Sequence, residues 1–398
     1  MKIIDKGKTI PSDNNLKAKT AMFTIFLILA TALAMSCREC PTEPENHNNN
    51  QTDTTSHNFI WEIDTLGTKD ISLIRDIVAI SPNDVWAVGS ISIYNPFEQD
   101  STGWWINKYN AAHWDGEKWT LKCIPFKSYQ SFIYAHDEIC SVLAFDSNDV
   151  WFTNGGSLTR WNGTKYEYMA AIFQGWPDSD FGLIRSMWGT ADDNIYGVGE
   201  NGFCFHYTGS GQWEALETNT RISLRKLIGN VNSKSGAIQL WAGGYDDGYG
   251  WLLQNKDNEW NMVWNQGDSL YEQPYEKYMY PTTAIWTPDY KNIFIGVNKG
   301  YKDATLMKHS LKDFSDYDPL GQLEWGFPLA INGNADNDFF VVGYSLSVIH
   351  YNGSTVKYYP EAAYDYNGVY WCVSQVGDYV FMGRGISFAA VVRGRRYQ

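Results

Sequence analysis

Three arginines are the first residues in this chain whose type and placement suggest chemistry. Arg75, Arg185 and Arg225 each follow an aliphatic residue just before an apolar run, as Ile74-Arg75, Ile184-Arg185 and Leu224-Arg225. A guanidinium stays charged and presents its donors as a planar fork, so several converging on one point bind a carboxylate or phosphate bidentately. The structural alternative is that the three cap strand ends through main-chain carbonyls or neighbouring acids. A second set is aromatic: Trp104 and Trp105 with Tyr109, and Trp264, Tyr271 and Tyr275 with Tyr278 and Tyr280, fill two stretches. Flat aromatic surface stacks on sugar rings or grips another protein, and it also serves to pack a loop onto a rigid body.

The familiar catalytic signatures are missing. There is no phosphate-binding glycine loop, no GxSxG and no HExxH. Asp192-Asp193-Asn194 and Asp336-Asn337-Asp338 resemble fragments of calcium loops, but both fall where a turn is needed, and turn chemistry explains them. Asp178-Ser179-Asp180-Phe181-Gly182 is too short for an EF-hand loop. His113, His206 and His350 recur at one position of a repeat, which points to structure. Cys123, Cys140, Cys204 and Cys372 lack metal-ligand spacing; Cys123 with Cys140 is the nearest pair for a disulfide, and buried free thiols explain them equally well. No metal, cofactor or catalytic residue is therefore expected. A formal net charge of −14 argues against a nucleic acid as partner.

The elements that must position these residues come from a repeat. Asp84-Val85-Trp86-Ala87-Val88-Gly89 returns in recognisable form with its aromatic at Trp151, Tyr196, Trp241, Phe294, Phe340 and Phe381, at spacings of 65, 45, 45, 53, 46 and 41 residues. Periods near 45 residues belong to propeller blades. The first copy shows the grammar: an apolar strand, the turn Ser81-Pro82-Asn83-Asp84, the strand 85–89, and a second hairpin, Ala112-His113-Trp114-Asp115-Gly116-Glu117-Lys118-Trp119. Four antiparallel strands A to D make one blade. The seventh copy ends too early for its fourth strand, while Phe59-Ile60-Trp61-Glu62-Ile63 looks like an outer strand without a partner nearby. Pairing the two closes the ring and removes exposed edges. In such blades the B–C and D–A connections share one face, and the long connections 90–110, 124–139, 171–183, 245–250 and 261–281 all fall there. The three arginines, at the starts of A strands, belong to the same face.

The N-terminus reads as an address. Lys17 and Lys19 precede an apolar run, 21–35, too short to span a membrane and suited to a signal peptide. It ends in Leu33-Ala34-Met35-Ser36-Cys37, which resembles a bacterial lipobox with Cys37 as the lipidated residue. Residues 38–58 are almost free of apolar side chains and read as a tether.

The repeat grammar resembles that of exported bacterial β-propellers related to the kelch and Asp-box, sialidase-like, groups, often found on lipoproteins. The resemblance implies an all-β chain: a lipoprotein signal peptide at 1–36, a disordered tether at 37–58 carrying lipidated Cys37, and a single seven-bladed propeller of four-stranded antiparallel blades at 59–398. It also brings forward a sialidase-like use of an arginine cluster, which would require in addition a Tyr nucleophile with its Glu and an acid Asp; nothing in the sequence singles these out. The expectation is a monomeric, non-catalytic module in the cell envelope, lipid-anchored to the outer membrane, that binds a protein or carbohydrate partner on its long-loop face. The competing expectation is a carbohydrate-active enzyme with its site in the central funnel.

Overall fold

Turn residues set the hairpins, and the strands follow. Ser81-Pro82-Asn83, Asp146-Ser147-Asn148, Ala191-Asp192-Asp193 and Ala335-Asp336-Asn337 each join two strands through a tight turn, and side chains such as Ser81 and Asp146 accept the amide hydrogen bonds two residues on. The structure is a computed structural model that describes residues 54–68, 72–94, 106–127, 133–134, 137–171, 183–246, 249–256, 259–265, 284–289, 291–298, 304–310, 317–323, 327–344, 347–362, 368–386 and 388–397. All of them belong to one unit, Thr52–Gln398. The signal peptide, Cys37 and most of the expected tether lie outside the described residues.

The first strand is β1 (Phe59–Gly67), followed by β2 (Leu73–Ser81), β3 (Asp84–Tyr94), β4 (Ile106–Trp114) and β5 (Trp119–Lys122). A short ribbon, β6 (Phe126–Lys127) with β7 (Ile133–Tyr134), precedes β8 (Ser141–Asp146), β9 (Asp149–Thr153), β10 (Ser157–Trp161) and β11 (Tyr166–Ala171). Next come β12 (Ile184–Ala191), β13 (Asn194–Gly199), β14 (Cys204–Tyr207) and β15 (Trp213–Ala215), then β16 (Ser223–Val231), β17 (Ile238–Asp246), β18 (Tyr249–Lys256) and β19 (Glu259–Asn265). The last groups are β20 (Ile285–Trp286), β21 (Asn292–Asn298), β22 (Ala304–Ser310) and β23 (Tyr317–Leu323), then β24 (Pro328–Ala335), β25 (Asp338–Gly343), β26 (Val348–Tyr351) and β27 (Val356–Tyr358), then β28 (Val369–Val376), β29 (Tyr379–Gly385) and β30 (Ala389–Arg396).

From β8 to β27 each group of four forms one antiparallel sheet in chain order. Strands β2 to β5 pair likewise; β28, β29 and β30 pair in order, and β1 adds beyond β30 with Phe59 opposite Arg396 and Ile63 opposite Val392. A bridge from Leu73 to Gly385 links these last two groups. Strands extend further into the expected loops than the sequence suggested. Ile91-Ser92-Ile93-Tyr94 continues β3 because its apolar and polar residues alternate, β17 and β18 reach into 245–250 with Tyr245 opposite Gly250 and Asp246 opposite Tyr249, and β19 takes 261–265. The degenerate fifth copy still forms its second hairpin, β22 with β23.

The repeat's polar residues do more than turn the chain. Asp84 Oδ1 lies 2.8 Å from His113 Nε2, and Asp338 Oδ1 and Asn194 Oδ1 lie 2.8 Å from His350 and His206 Nε2. Each imidazole stacks on the repeat aromatic, His113 on Trp86 at 4.3 Å, His206 on Tyr196 at 4.1 Å and His350 on Phe340 at 4.7 Å. In the second sheet Arg160 takes the histidine's place, bonded to Asp149 at 2.6 Å and lying over Trp151. The recurrent histidines are thus braces between strands B and C. The apolar core is divided into clusters, each shared by two neighbouring sheets; Trp86, Val88, Val142 and Phe152, for example, join the first two.

Candidate functional site

The terminal glycine of the repeat shapes the site. At Gly89, Gly199, Gly244 and Gly343 an added Cβ would lie 2.2, 2.2, 2.4 and 1.7 Å from a backbone oxygen of the chain leading into the facing strand, so no other residue permits that approach. Opposite each of them the facing strand slips register by one residue, between Ile74 and Asp76, Ile184 and Ser186, Leu224 and Lys226, and Pro328 and Ala330. A fifth slip lies between Tyr370 and Cys372. The extra residues in these bulges are Arg75, Arg185, Arg225, Leu329 and Trp371. A β-bulge re-aims the side chain it carries, and here all five line one cavity of about 890 Å³.

The structure therefore brings the three arginines together, as their equivalent positions implied. Arg75 Nε donates to Glu138, just before β8, and its guanidinium lies 5.3 Å from the centre of the Trp371 ring. Arg185 Nε donates to Glu200 Oε1 at 3.0 Å, its Nη2 reaches the same oxygen, and its Nη1 lies 3.8 Å from Cys140 Sγ. Arg225 Nη1 lies 3.6 Å from that Glu200 oxygen while its Nη2 donates to Tyr245 OH at 3.1 Å, with the guanidinium over the Tyr245 ring. One carboxylate thus bridges two sheets. Burial works against the charge of Arg185, but the bonds to Glu200 outweigh it and hold the guanidinium above its ordinary value. Burial pushes the Cys140 thiol up, with Arg185 pulling the other way, so this sulfur is not an activated thiolate.

Among the described residues lining the cavity, the charged ones are Arg75, Arg185, Arg225, Lys226 and Asp76. Asp76 is already engaged, accepting from Ser141 Oγ at 2.8 Å and from the Val142 amide at 3.0 Å. The apolar side of the same end is Leu329, Tyr344 and Trp371, the two rings 6.0 Å apart edge to face. Sequence reading found the arginines and missed Glu138, Glu200, Tyr245 and Trp371. The recurring glycine was the available signal, for it marks the bulges.

Trp104, Trp105, Tyr271 and Tyr275 lie outside the described residues, and Trp264 is placed in β19 opposite Leu252. Cys123, Cys140, Cys204 and Cys372 are free thiols in the structure, Cys204 and Cys372 buried, Cys140 half-buried and Cys123 exposed. No group of His, Cys, Asp and Glu among the described residues has the arrangement of a metal site.

No family model matches this chain, and no curated protein does. Solved structures do. A structure described as YCF48 bound to D1 peptide superposes with a TM-score of 0.58 at 14% identity, covering 85% of this chain and 97% of that one. The extracellular domain of BT4673 from B. thetaiotaomicron gives 0.53 at 11% identity over 84% of this chain and 40% of that chain. The WD40 β-propeller domain of Doa1 gives 0.51 at 13% identity over 85% and 98%. At these identities the likeness concerns the fold alone: the chain is an all-β protein of four-stranded antiparallel sheets with the β-propeller fold.

Proposed function

We propose that this protein is a non-catalytic interaction module that binds a segment of a protein partner at the arginine end of its cavity. The observation that carries the reading is the convergence of Arg75, Arg185 and Arg225 on one cavity, each aimed there by a bulge. Supporting it, a solved propeller of the same fold is described with a peptide bound. The carbohydrate-active alternative has less support, because Glu138 and Glu200, the carboxylates nearest the arginines, are tied up by them, and Tyr245 bonds Arg225.

The proposed architecture is a seven-bladed ring closed by β1. In its favour, the inner strands touch in the cyclic order β2, β8, β12, β16, β20, β24, β28 and back to β2. The cluster joining Ile74 and Val85 to Phe381 and Val391 sits between the last and first sheets, like those between all other neighbours. The kinship with kelch and Asp-box propellers, the monomeric state and lipidation at Cys37 of an exported, envelope-bound protein belong to the same proposal.

Two experiments test it. The purified full-length chain, presented to a peptide array, is expected to capture acidic peptides, and Arg185→Ala with Arg225→Ala is expected to abolish the capture. Capture unchanged by the double substitution, or turnover of a glycoside, overturns the reading. Cys37→Ser is expected to move the protein from the membrane to the soluble fraction; unchanged fractionation removes the anchor.

A further inference from the structure

The five bulged residues divide the end of the cavity into two halves of opposite character. Arg75, Arg185 and Arg225 come from β2, β12 and β16, with Cys140 at the matching place before β8; Leu329 and Trp371 come from β24 and β28, and Tyr344 follows β25. One half is a cationic arc and the other an apolar, aromatic wall. We infer that the group recognised here is a carboxylate carried on an apolar stem, namely an acidic side chain flanked by apolar residues in the partner segment. This inference rests on the interaction-module reading and names the chemistry of that site.

Charge decides between carboxylate and phosphate. Arg75, Arg185, Arg225 and Lys226 face Asp76, Glu138 and Glu200, so one positive charge is left uncompensated among the described residues. A single carboxylate neutralises it. A phosphate dianion overshoots, and it does so beside two glutamates. The resident pairs also show what the forks are set for: Glu200 already lies between two guanidiniums, each with a carboxylate oxygen within 3.6 Å. The apolar half adds selectivity, because Trp371 and Tyr344 favour a ligand that brings hydrophobic surface along with its charge.

The test uses small probes on the full-length chain, read by ligand-observed NMR: 3-phenylpropionate, its neutral amide, acetate and inorganic phosphate. Phenylpropionate is expected to bind at least about tenfold tighter than acetate, as burial of a phenyl group requires. The amide and phosphate are expected to bind more weakly than phenylpropionate. Glu200→Gln, which removes one negative charge, is expected to strengthen phosphate binding most; Arg185→Lys, which keeps the charge and loses the fork, is expected to weaken phenylpropionate severalfold. Phosphate binding equal to phenylpropionate in the unaltered chain overturns the charge argument, and acetate binding equal to phenylpropionate overturns the role of the apolar wall. These comparisons need no variant to fold. Peptide capture that depends on the arginines while no probe shows the carboxylate preference sinks this inference and leaves the interaction module standing.

Discussion

Glycine and arginine act as a pair in this protein. The glycine at the end of strand B lets the incoming backbone pass close, the facing strand bulges, and the bulge turns an arginine into the cavity. Gly199→Ala tests the link: its Cβ would lie 2.2 Å from the Leu183 oxygen, so β12 must shift and take Arg185 with it. A loss of about 1–3 kcal/mol in chemical denaturation is expected, together with loss of peptide capture. A variant that keeps its stability and its binding would separate glycine from site. The arginines themselves were legible, because equivalent repeat positions put them at one end. Their partners were not. Glu138 stands 63 residues from Arg75, in a connection with no repeat signal, and only the fold brings the two together.

At the scale of elements, β1 is, among the described strands, added to its sheet from outside the hairpin order, and its approach is held by a polar cluster. Thr55 and His57, expected to belong to the tether, already lie against the sixth sheet: the Thr55 amide donates to the Asn352 carbonyl at 3.2 Å, and His57 Nδ1 lies 2.8 Å from His350 Nδ1. His350 Nε2 meets Asp338, which Arg396 also grips, and Lys357 reaches the His57 carbonyl. Burial, helped by His350, Lys357 and Arg396, lowers His57 to about 4, with Asp338 opposing. Burial lowers His350 as well, while bonds from His350, Asn334 and Arg396 hold the Asp338 carboxyl far below its usual range despite its own burial. A detached His57 titrates near 6.5, so between that pH and about 4 the free segment takes up a proton that the docked one refuses. Docking is therefore full above pH 6.5 and weakens on acidification. Amide exchange in β1 is expected to be faster at pH 5 than at pH 7, relative to β16; equal ratios at the two pH values would refute the coupling. Phe59→Ala, in the cluster with Phe340 and Tyr359, is expected to cost about 3 kcal/mol. The strand was legible from its aromatic pattern and lack of a neighbour. The histidine pair was not, since His57 sits in a stretch whose composition reads as disordered.

At the scale of the whole molecule, an acidic chain of net charge −14 keeps a cationic pocket. Long-range repulsion and short-range attraction then oppose each other for an acidic partner. Added salt screens the first more than the second, because the guanidiniums are partly buried. The association rate of an acidic peptide is expected to rise between roughly 0.05 and 0.3 M salt, measured by surface plasmon resonance, opposite to ordinary steered binding. A falling rate would mean that the outer surface near the cavity is not acidic. The β-propeller fold was legible from spacing alone, because each repeat reports the same turn and brace. The site was legible only in part, because what defines it lies in bulges and connections that the repeat does not encode. One consequence follows from the pairing of Phe59 with Arg396, next to Asp338 and the β24–β25 turn. The chain enters the propeller at the end where the β2–β3 type turns lie, and the arginines occupy the other. The described residues ahead of β1, Thr55 and His57 among them, therefore lie at the end of the propeller away from the arginines.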